Sequence, residues 1–240
     1  MSTRTGFGMV SLFDDFLLSA DHSGWNDNTE NSGTTAQLVN REDGYVELTT
    51  GTTIGNRGQI TGERVWRAES GGPLVFEAGV VFITDITEKG LFVGFTNLTT
   101  IQNPIEIASA GDTLTANADD AVGFVFDEEN ATTDRYFLCG SDSNVDAAGN
   151  GVVPASATVT VPVAGTDQAF RVVIDTAGAA SFFINGNLVF RTGTGWSNRK
   201  LTAAVSPDVN LCPTVCVETR EALANTVYVD YIYSSKGRNP

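Results

Sequence analysis

The sequence predicts an all-β protein built as an antiparallel β-sandwich. Short apolar segments recur along it with a two-residue period, the repeat of a strand rather than of a helix. Glycine, threonine, asparagine and aspartate stand between these segments as turn signals. One stretch, residues 170–191, reads as two successive hairpins with both turns visible.

In that stretch Phe170, Val172 and Ile174 share one strand face, and Arg171, Val173 and Asp175 share the other. Asp175-Thr176-Ala177-Gly178 supplies the first turn, after which Phe182 and Ile184 resume the period. Asn185-Gly186 is the dipeptide best suited to positive φ at both central positions of a type I′ turn. Leu188 and Phe190 then return antiparallel.

In chain order, the first candidate strand is 13–18, followed by a polar loop around Trp25. Further candidates are 35–39, 45–49, 60–66, 74–84, 90–96, 122–126, 135–139 and 157–163. After the double hairpin come 201–205, 215–217 and 227–233. In 74–84 both alternating sets are largely apolar, which predicts a strand covered on both faces or curved at Gly79. In 157–163 Val159, Val161 and Val163 alternate with Thr158, Thr160 and Pro162, as on an edge strand with one wet face. In the last strand Val227, Val229, Tyr231 and Tyr233 alternate with Tyr228, Asp230 and Ile232. Residues 218–225 are the one segment that reads as helical, and 111–121 is a polar excursion with room for a helical turn. Residues 140–151 form a long loop, and no linker or fixed-period repeat divides the chain. The expected organisation is one domain over 1–240, with an N-terminal arm (1–12) and a C-terminal tail (234–240).

A hydrophobic fraction of 41% over 240 residues is enough for a core without disulfides or metal. The net charge of −15, with 14 basic against 29 acidic residues, excludes a phosphate-backbone partner, so no nucleic acid is expected. No apolar run approaches a membrane span. The start lacks a secretion signal, since Asp14 and Asp15 interrupt its apolar region, and the protein is expected not to be secreted. Without secretion the sequons at Asn97 and Asn130 carry no weight. Three cysteines suit a reducing compartment. Cys212 and Cys216 are four positions apart, around Pro213, with Cys139 as the third thiol, and they read as structural rather than metal-binding.

The order of the segments resembles the concanavalin A-like lectin/glucanase (laminin-G-like) jelly roll. Phe13-Asp14-Asp15-Phe16 before Trp25 is similar to its first strand and entry loop. The 170–191 double hairpin is similar to its central run, and Val229-Asp230-Tyr231-Ile232-Tyr233 to its last strand, which returns beside the first. The resemblance implies a concanavalin A-like jelly roll; a fold-level likeness leaves function open.

The glucanase branch of that fold works through acids at i, i+2 and i+5 of one strand, one donating a proton while the other attacks or steadies the sugar cation. Here Asp127 and Glu129 are two apart, but Thr132 fills the third position, so no enzyme activity is expected. His22 is the single histidine, and no GxSxG serine accompanies it. Asp142, Asn144 and Asp146 alternate oxygen side chains as a calcium loop does, yet Gly149 is displaced and Val153 stands where a glutamate would close the ion's shell. The expectation is therefore no cofactor, with calcium at Asp142, Asn144 and Asp146 as the alternative. Trp66 and Trp196 are the candidate sugar platform, with Trp25 beside them; core packing is the competing account of these rings.

Two function classes follow. Short, acidic, signal-less jelly rolls opening with an LFDDF-like strand resemble tailed-phage structural proteins, above all those that decorate the capsid exterior. That resemblance implies a virion protein made in the host cytoplasm, cementing major capsid protein subunits and self-associating as a homotrimer. Each joint needs a contact of roughly 1,600 Å². The alternative is a non-catalytic, lectin-like carbohydrate-binding module that grips glycans through exposed aromatics.

Overall fold

The computed structural model describes residues 9–16, 25–29, 35–39, 44–69, 71–83, 85–107, 114–128, 136–143, 162–192 and 203–237. Among them lie sixteen strands and no helix. The first half contains β1 (Met9–Asp14), β2 (Trp25–Thr29), β3 (Thr35–Val39), β4 (Tyr45–Thr49), β5 (Arg57–Gly62), β6 (Leu74–Phe82), β7 (Lys89–Thr96) and β8 (Ile105–Ile107). The second contains β9 (Leu114–Ala116), β10 (Ala121–Asp127), β11 (Phe137–Ser141), β12 (Asp167–Ile174), β13 (Ala180–Ile184), β14 (Asn187–Arg191), β15 (Cys212–Thr219) and β16 (Thr226–Gly237).

An eight-stranded sheet runs β14-β13-β12-β6-β16-β4-β3, with β1 also paired to β16. A six-stranded sheet runs β11-β10-β7-β15-β5-β2, and β8 pairs with β9 in a separate hairpin. Every ladder is antiparallel. The two-residue period explains the layering. On β12 and β13 it buries Phe170, Val172, Ile174, Ala180, Phe182 and Ile184 and turns the intervening residues outward.

Aromatic side chains join the two sheets. Phe76 of β6 meets Phe95 of β7 edge-on with centroids 5.5 Å apart, and Phe124 of β10 meets Phe170 of β12 at 5.1 Å. Tyr136 packs on Phe170 at 4.9 Å, and its buried hydroxyl donates to Gln168 Oε1 at 2.5 Å. That bond satisfies the one polar atom such a ring brings into a core. A second apolar cluster lies on the outer side of the six-stranded sheet. There Phe92, Val125, Phe137, Cys139 and Cys216 are covered by Ile105, Ile107 and Leu114 of the β8–β9 hairpin.

The double hairpin forms as its turns predict. Asn185 and Gly186 take φ of 50° and 77°, the pair of positive values a type I′ turn requires. Asp175 Oδ1 accepts from the amides of Ala177 and Ala179 and closes the preceding turn.

Several expectations are corrected. The first strand is β1, starting at Met9, so residues 9–12 of the expected arm pair with residues 234–237 of the expected tail. Each segment supplies the other's backbone partners. Residues 218–225 form no helix: 218 and 219 end β15, and Thr219 Oγ1 donates to the carbonyls of Glu221 and Leu223. Asn225 N donates to Thr50 Oγ1, so side chains take over the backbone partners a helix would use. Of the 111–121 excursion, residues 111–113 lie outside the described residues, and 114–116 form β9 with no helical turn in 114–121. Residues 203–205 are not a strand; Ala204 N instead donates to Gly178 O. Of the expected strand 157–163, residues 157–161 lie outside the described residues, and 162 and 163 belong to no strand.

The alternation read along the last strand is broken as well. Val229 pairs with Val80 and Tyr231 with Gly79, which leaves Asp230 as an extra residue opposite Gly79. Beyond this bulge the phase inverts, so Ile232 turns into the core and Tyr231 and Tyr233 turn outward.

Candidate functional site

Among the described residues, those singled out in the sequence do not converge. Asp127 is fully buried at the end of β10 and forms an ion pair with Arg220 Nη2. Arg220 Nη1 lies 2.9 Å from Glu218 Oε1, and Glu218 Oε2 accepts from Arg57 Nε, also at 2.9 Å. Burial opposes the Arg220 cation, but the charges of Asp127, Glu218 and Glu106 outweigh it and hold its pKa raised. The network compensates its own charges and leaves Asp127 engaged with arginine rather than open to a substrate. Glu129 and His22 lie outside the described residues.

Asp142 accepts the hydroxyls of Ser206 at 2.6 Å and Ser143 at 3.1 Å. Asn144 and Asp146 lie outside the described residues, among which no group of three His, Cys, Asp or Glu could hold a metal ion. Of the expected calcium ligands, Asp142 alone lies among the described residues. Trp66 is 4% exposed and paired to Leu211 through its backbone, so its ring belongs to the core and not to a sugar platform. Trp25 is buried too, its indole donating to Asp14 Oδ2. Trp196 lies outside the described residues. All three cysteines are free and buried, and burial raises the Cys212 thiol to about 11 and the other two further. None is a ready thiolate.

A different set of residues does converge, on the outer face of the eight-stranded sheet. Direct cross-strand pairing sets Phe183 of β13 opposite Arg171 of β12, Arg171 opposite Glu77 of β6, Glu77 opposite Tyr233 of β16, and Tyr233 opposite Phe13 of β1. These residues form one ladder across five strands. Arg171 Nη1 lies 3.7 Å from Glu77 Oε2, and its guanidinium carbon stands 5.8 Å from the centre of the Phe183 ring.

Tyr231 completes the arrangement. Its hydroxyl donates to Glu77 Oε1 at 2.8 Å, and its ring meets that of Phe13 with centroids 6.2 Å apart. It fits because Gly79 carries no side chain: a Cβ there would sit 3.0 Å from Tyr231 Cε1. Burial first, then the bond to Glu77, pushes the Tyr231 pKa well above the ordinary tyrosine range, so the hydroxyl remains a donor. A cavity of about 280 Å³ lies beside the ladder, lined by Glu77, Ala169, Arg171, Phe183 and Gly186. The face thus offers aromatic surfaces at its margins and a fixed donor–acceptor set at its centre.

No protein-family model and no curated protein matches the chain. Solved structures match over almost its full length. The carbohydrate recognition domain of Emp47p has a TM-score of 0.59 at 11% identity, covering 98% of this chain and 99% of that one. Peanut lectin has a TM-score of 0.58 at 12% identity, covering 95% and 97%. The fold is the concanavalin A-like β-sandwich. A structure described with endo-acting O-glycanases of the human gut microbiota is similar as well (TM-score 0.60, 11% identity, 95% and 99% covered). At these identities the likeness carries the concanavalin A-like fold and no residue's role.

Sequence reasoning missed the ladder for two reasons. Arg171 was readable as outward-facing, but its neighbours on β6 and β13 follow only from sheet order and register. Tyr231 and Tyr233 fall in one alternating set with Val227 and Val229, because the extra residue at Asp230 has no signal in the alternation itself. The clue present in the chain was Gly79, a glycine inside an otherwise apolar strand, which marks a bulge or a close approach.

Proposed function

We propose that this protein is a non-catalytic carbohydrate-binding module whose ligand lies on the outer face of the eight-stranded sheet. The observation that carries the reading is the ladder from Phe183 to Phe13, which joins the exposed Phe13 ring and the half-buried rings of Phe183 and Tyr233 to the Arg171–Glu77–Tyr231 polar set. Aromatic rings stack on the apolar faces of sugars, while a few fixed polar groups orient their hydroxyls. The names of the similar structures support it, two of the three being a lectin and a carbohydrate recognition domain. The expectation of a capsid decoration protein draws no such support from them.

A glycan array probed with the isolated protein tests the proposal. Binding that is lost in Phe183→Ala, with the circular dichroism spectrum unchanged, is the expected result. Absence of binding, or binding untouched by that substitution, overturns it. Release of reducing ends from a bound glycan would overturn the non-catalytic half.

The second reading keeps the protein on the virion, docked on the major capsid protein and self-associated as a trimer. One observation favours it: Met9 and Phe13 stand 58% and 61% exposed on β1, apolar side chains of a kind that protein contacts bury. Co-sedimentation with bare capsids, lost in a Met9→Ser, Phe13→Ser double variant, would establish it. Failure to co-sediment would remove it.

A further inference from the structure

We infer that a cavity at the turn end of β12 and β13 is a separate binding site for a small polyhydroxylated carboxylate, with Arg191 holding the carboxylate. The cavity measures about 350 Å³. Pro73, Val173 and Ala179 give it apolar walls, and Asp175, Thr176, Ser181 and Arg191 give it polar groups. It shares no residue with the ladder, so the inference goes beyond the reading above and does not depend on it.

The first argument is how Arg191 comes to face outward. Phe182 pairs with Phe190, but Phe183 pairs with Leu188, which leaves Val189 as an extra residue on β14. Strict alternation from the exposed Leu188 would turn Arg191 inward. The bulge inverts the phase instead, so Leu188 and Arg191 are both exposed, and Phe190 stacks on buried Phe182. Ser181 is the direct partner of Arg191, and Val173 of Ser181, so the three stand in one row. The next residue is fixed as well: Thr192 N donates to Ala180 O, and Thr192 Oγ1 accepts from Ala180 N, both at 2.8 Å.

The second argument is the polar groups left over. Among the described residues Arg191 forms no ion pair, the Glu77 carboxylate of the same face being engaged by Arg171 and Tyr231. Asp175 Oδ1 accepts from the amides of Ala177 and Ala179, which leaves Oδ2 without a partner among those residues. The hydroxyls of Thr176 and Ser181 make no hydrogen bond among them either. Charge on an edge strand such as β14 discourages pairing with another sheet wherever it points. That role asks for no cavity and no companion hydroxyls.

The third argument is chemistry. A guanidinium presents a planar fork of donors that a carboxylate fills with two parallel hydrogen bonds. With one arginine beside the Asp175 carboxylate, and a net charge of −15 over the chain, phosphate or a polyanion meets more repulsion than a single carboxylate does. Asp175 Oδ2 accepts from a ligand hydroxyl, and Thr176 and Ser181 can each donate or accept. The volume lies at the low end of the roughly 300–1,000 Å³ typical of ligand cavities, which suits one sugar-sized ring with its C–H face on the apolar walls.

Calorimetric titration of the whole protein with glucuronate, against glucose as its neutral counterpart and inorganic phosphate as a competing anion, tests the inference. Glucuronate should bind about tenfold or more tighter than either. Arg191→Gln should abolish that preference, and Arg191→Lys, which keeps the charge but not the fork, should restore only part of it. Because Arg191 is exposed, both variants should keep the parent's thermal midpoint, which separates binding from folding. An oligosaccharide ending in glucuronate distinguishes the two sources of the carboxylate. Tighter binding than the free acid assigns the site to a glycan terminus, and equal or weaker binding assigns it to a free sugar acid. Glucose or phosphate binding as tightly as glucuronate overturns the inference, as does glucuronate affinity unchanged in Arg191→Gln, or no binding of glucuronate in either form. Phe183→Ala removes a ring of the ladder and no part of the cavity, so it should leave glucuronate affinity as it is. Either site can therefore fail without the other.

Discussion

On the six-stranded sheet the outward side chains Phe92, Val125, Phe137 and Cys216 lie under the β8–β9 hairpin. On the eight-stranded sheet the outward Phe13, Glu77 and Arg171 reach solvent. Both faces carry arginines and carboxylates, but in different settings. Arg220 and Asp127 have side chains 10% and 0% exposed, whereas Arg171 and Glu77 stand at 47% and 29%. Buried charges that satisfy one another specify how a segment docks; half-exposed charges held by a tyrosine remain able to exchange partners with a ligand. The comparison teaches that in this fold chemistry should be sought where charge is positioned and still reachable, not where it is densest.

The strongest way to break that comparison is Arg220→Met. It removes the arginine from Asp127 and from one oxygen of Glu218, and removing one member of such a buried network costs about 3–5 kcal/mol. Denaturant unfolding should show the loss, while the fraction that remains folded keeps its glycan affinity. Leu114→Ala comes next, since Leu114 is fully buried where the hairpin covers the six-stranded sheet. The expected cost is about 2–5 kcal/mol in the same experiment, again with no effect on the opposite face.

Gly79→Ala sharpens the contrast from the other side. The added methyl must displace Tyr231 or Asp230, at a cost of about 1–3 kcal/mol. Because it dislodges the hydroxyl that fixes Glu77, glycan affinity should fall further than stability accounts for. Titration and unfolding on the same preparation would show it.

The smallest effect is electrostatic. The hydrogen bond from buried Lys89, whose Nζ lies 2.7 Å from Asp85 Oδ1, holds the Asp85 pKa below its ordinary value. A carboxylate whose folded pKa is depressed contributes stability above its unfolded value near 4 and loses it as pH falls. Asp85→Asn should therefore lower stability slightly at neutral pH and match the parent protein only in acid, where Asp85 is protonated, so that the acid limb of the profile flattens. Half-exposure of the Asp85 side chain keeps the effect small.

Much of the fold was legible because its turns announce themselves. Asp175–Gly178 and Asn185-Gly186 fix β12, β13 and β14 locally, and the registers observed there follow from the turn chemistry. Strands β3 and β4 fall on the residues the period marked. Residues 218–225 misled because a helical reading weighs local spacing alone. The partners of Asn225 include Glu88 and Thr50, and Thr219 N donates to Asn56 O, all far off in the chain. The short strands β8 and β9 have three residues each, too few to display a period. The candidate site was the least legible part. A cross-strand ladder is a property of sheet order, and no single segment holds more than two of its members in sequence proximity.

The extra residue at Asp230 is dispensable in evolutionary terms. Loss of that one codon would set Tyr231 directly after Val229, and strict alternation along β16 would still carry Tyr231 and Tyr233 outward and Ile232 inward. A lineage could thus gain or shed the bulge through one small insertion or deletion and keep the same aromatic surface.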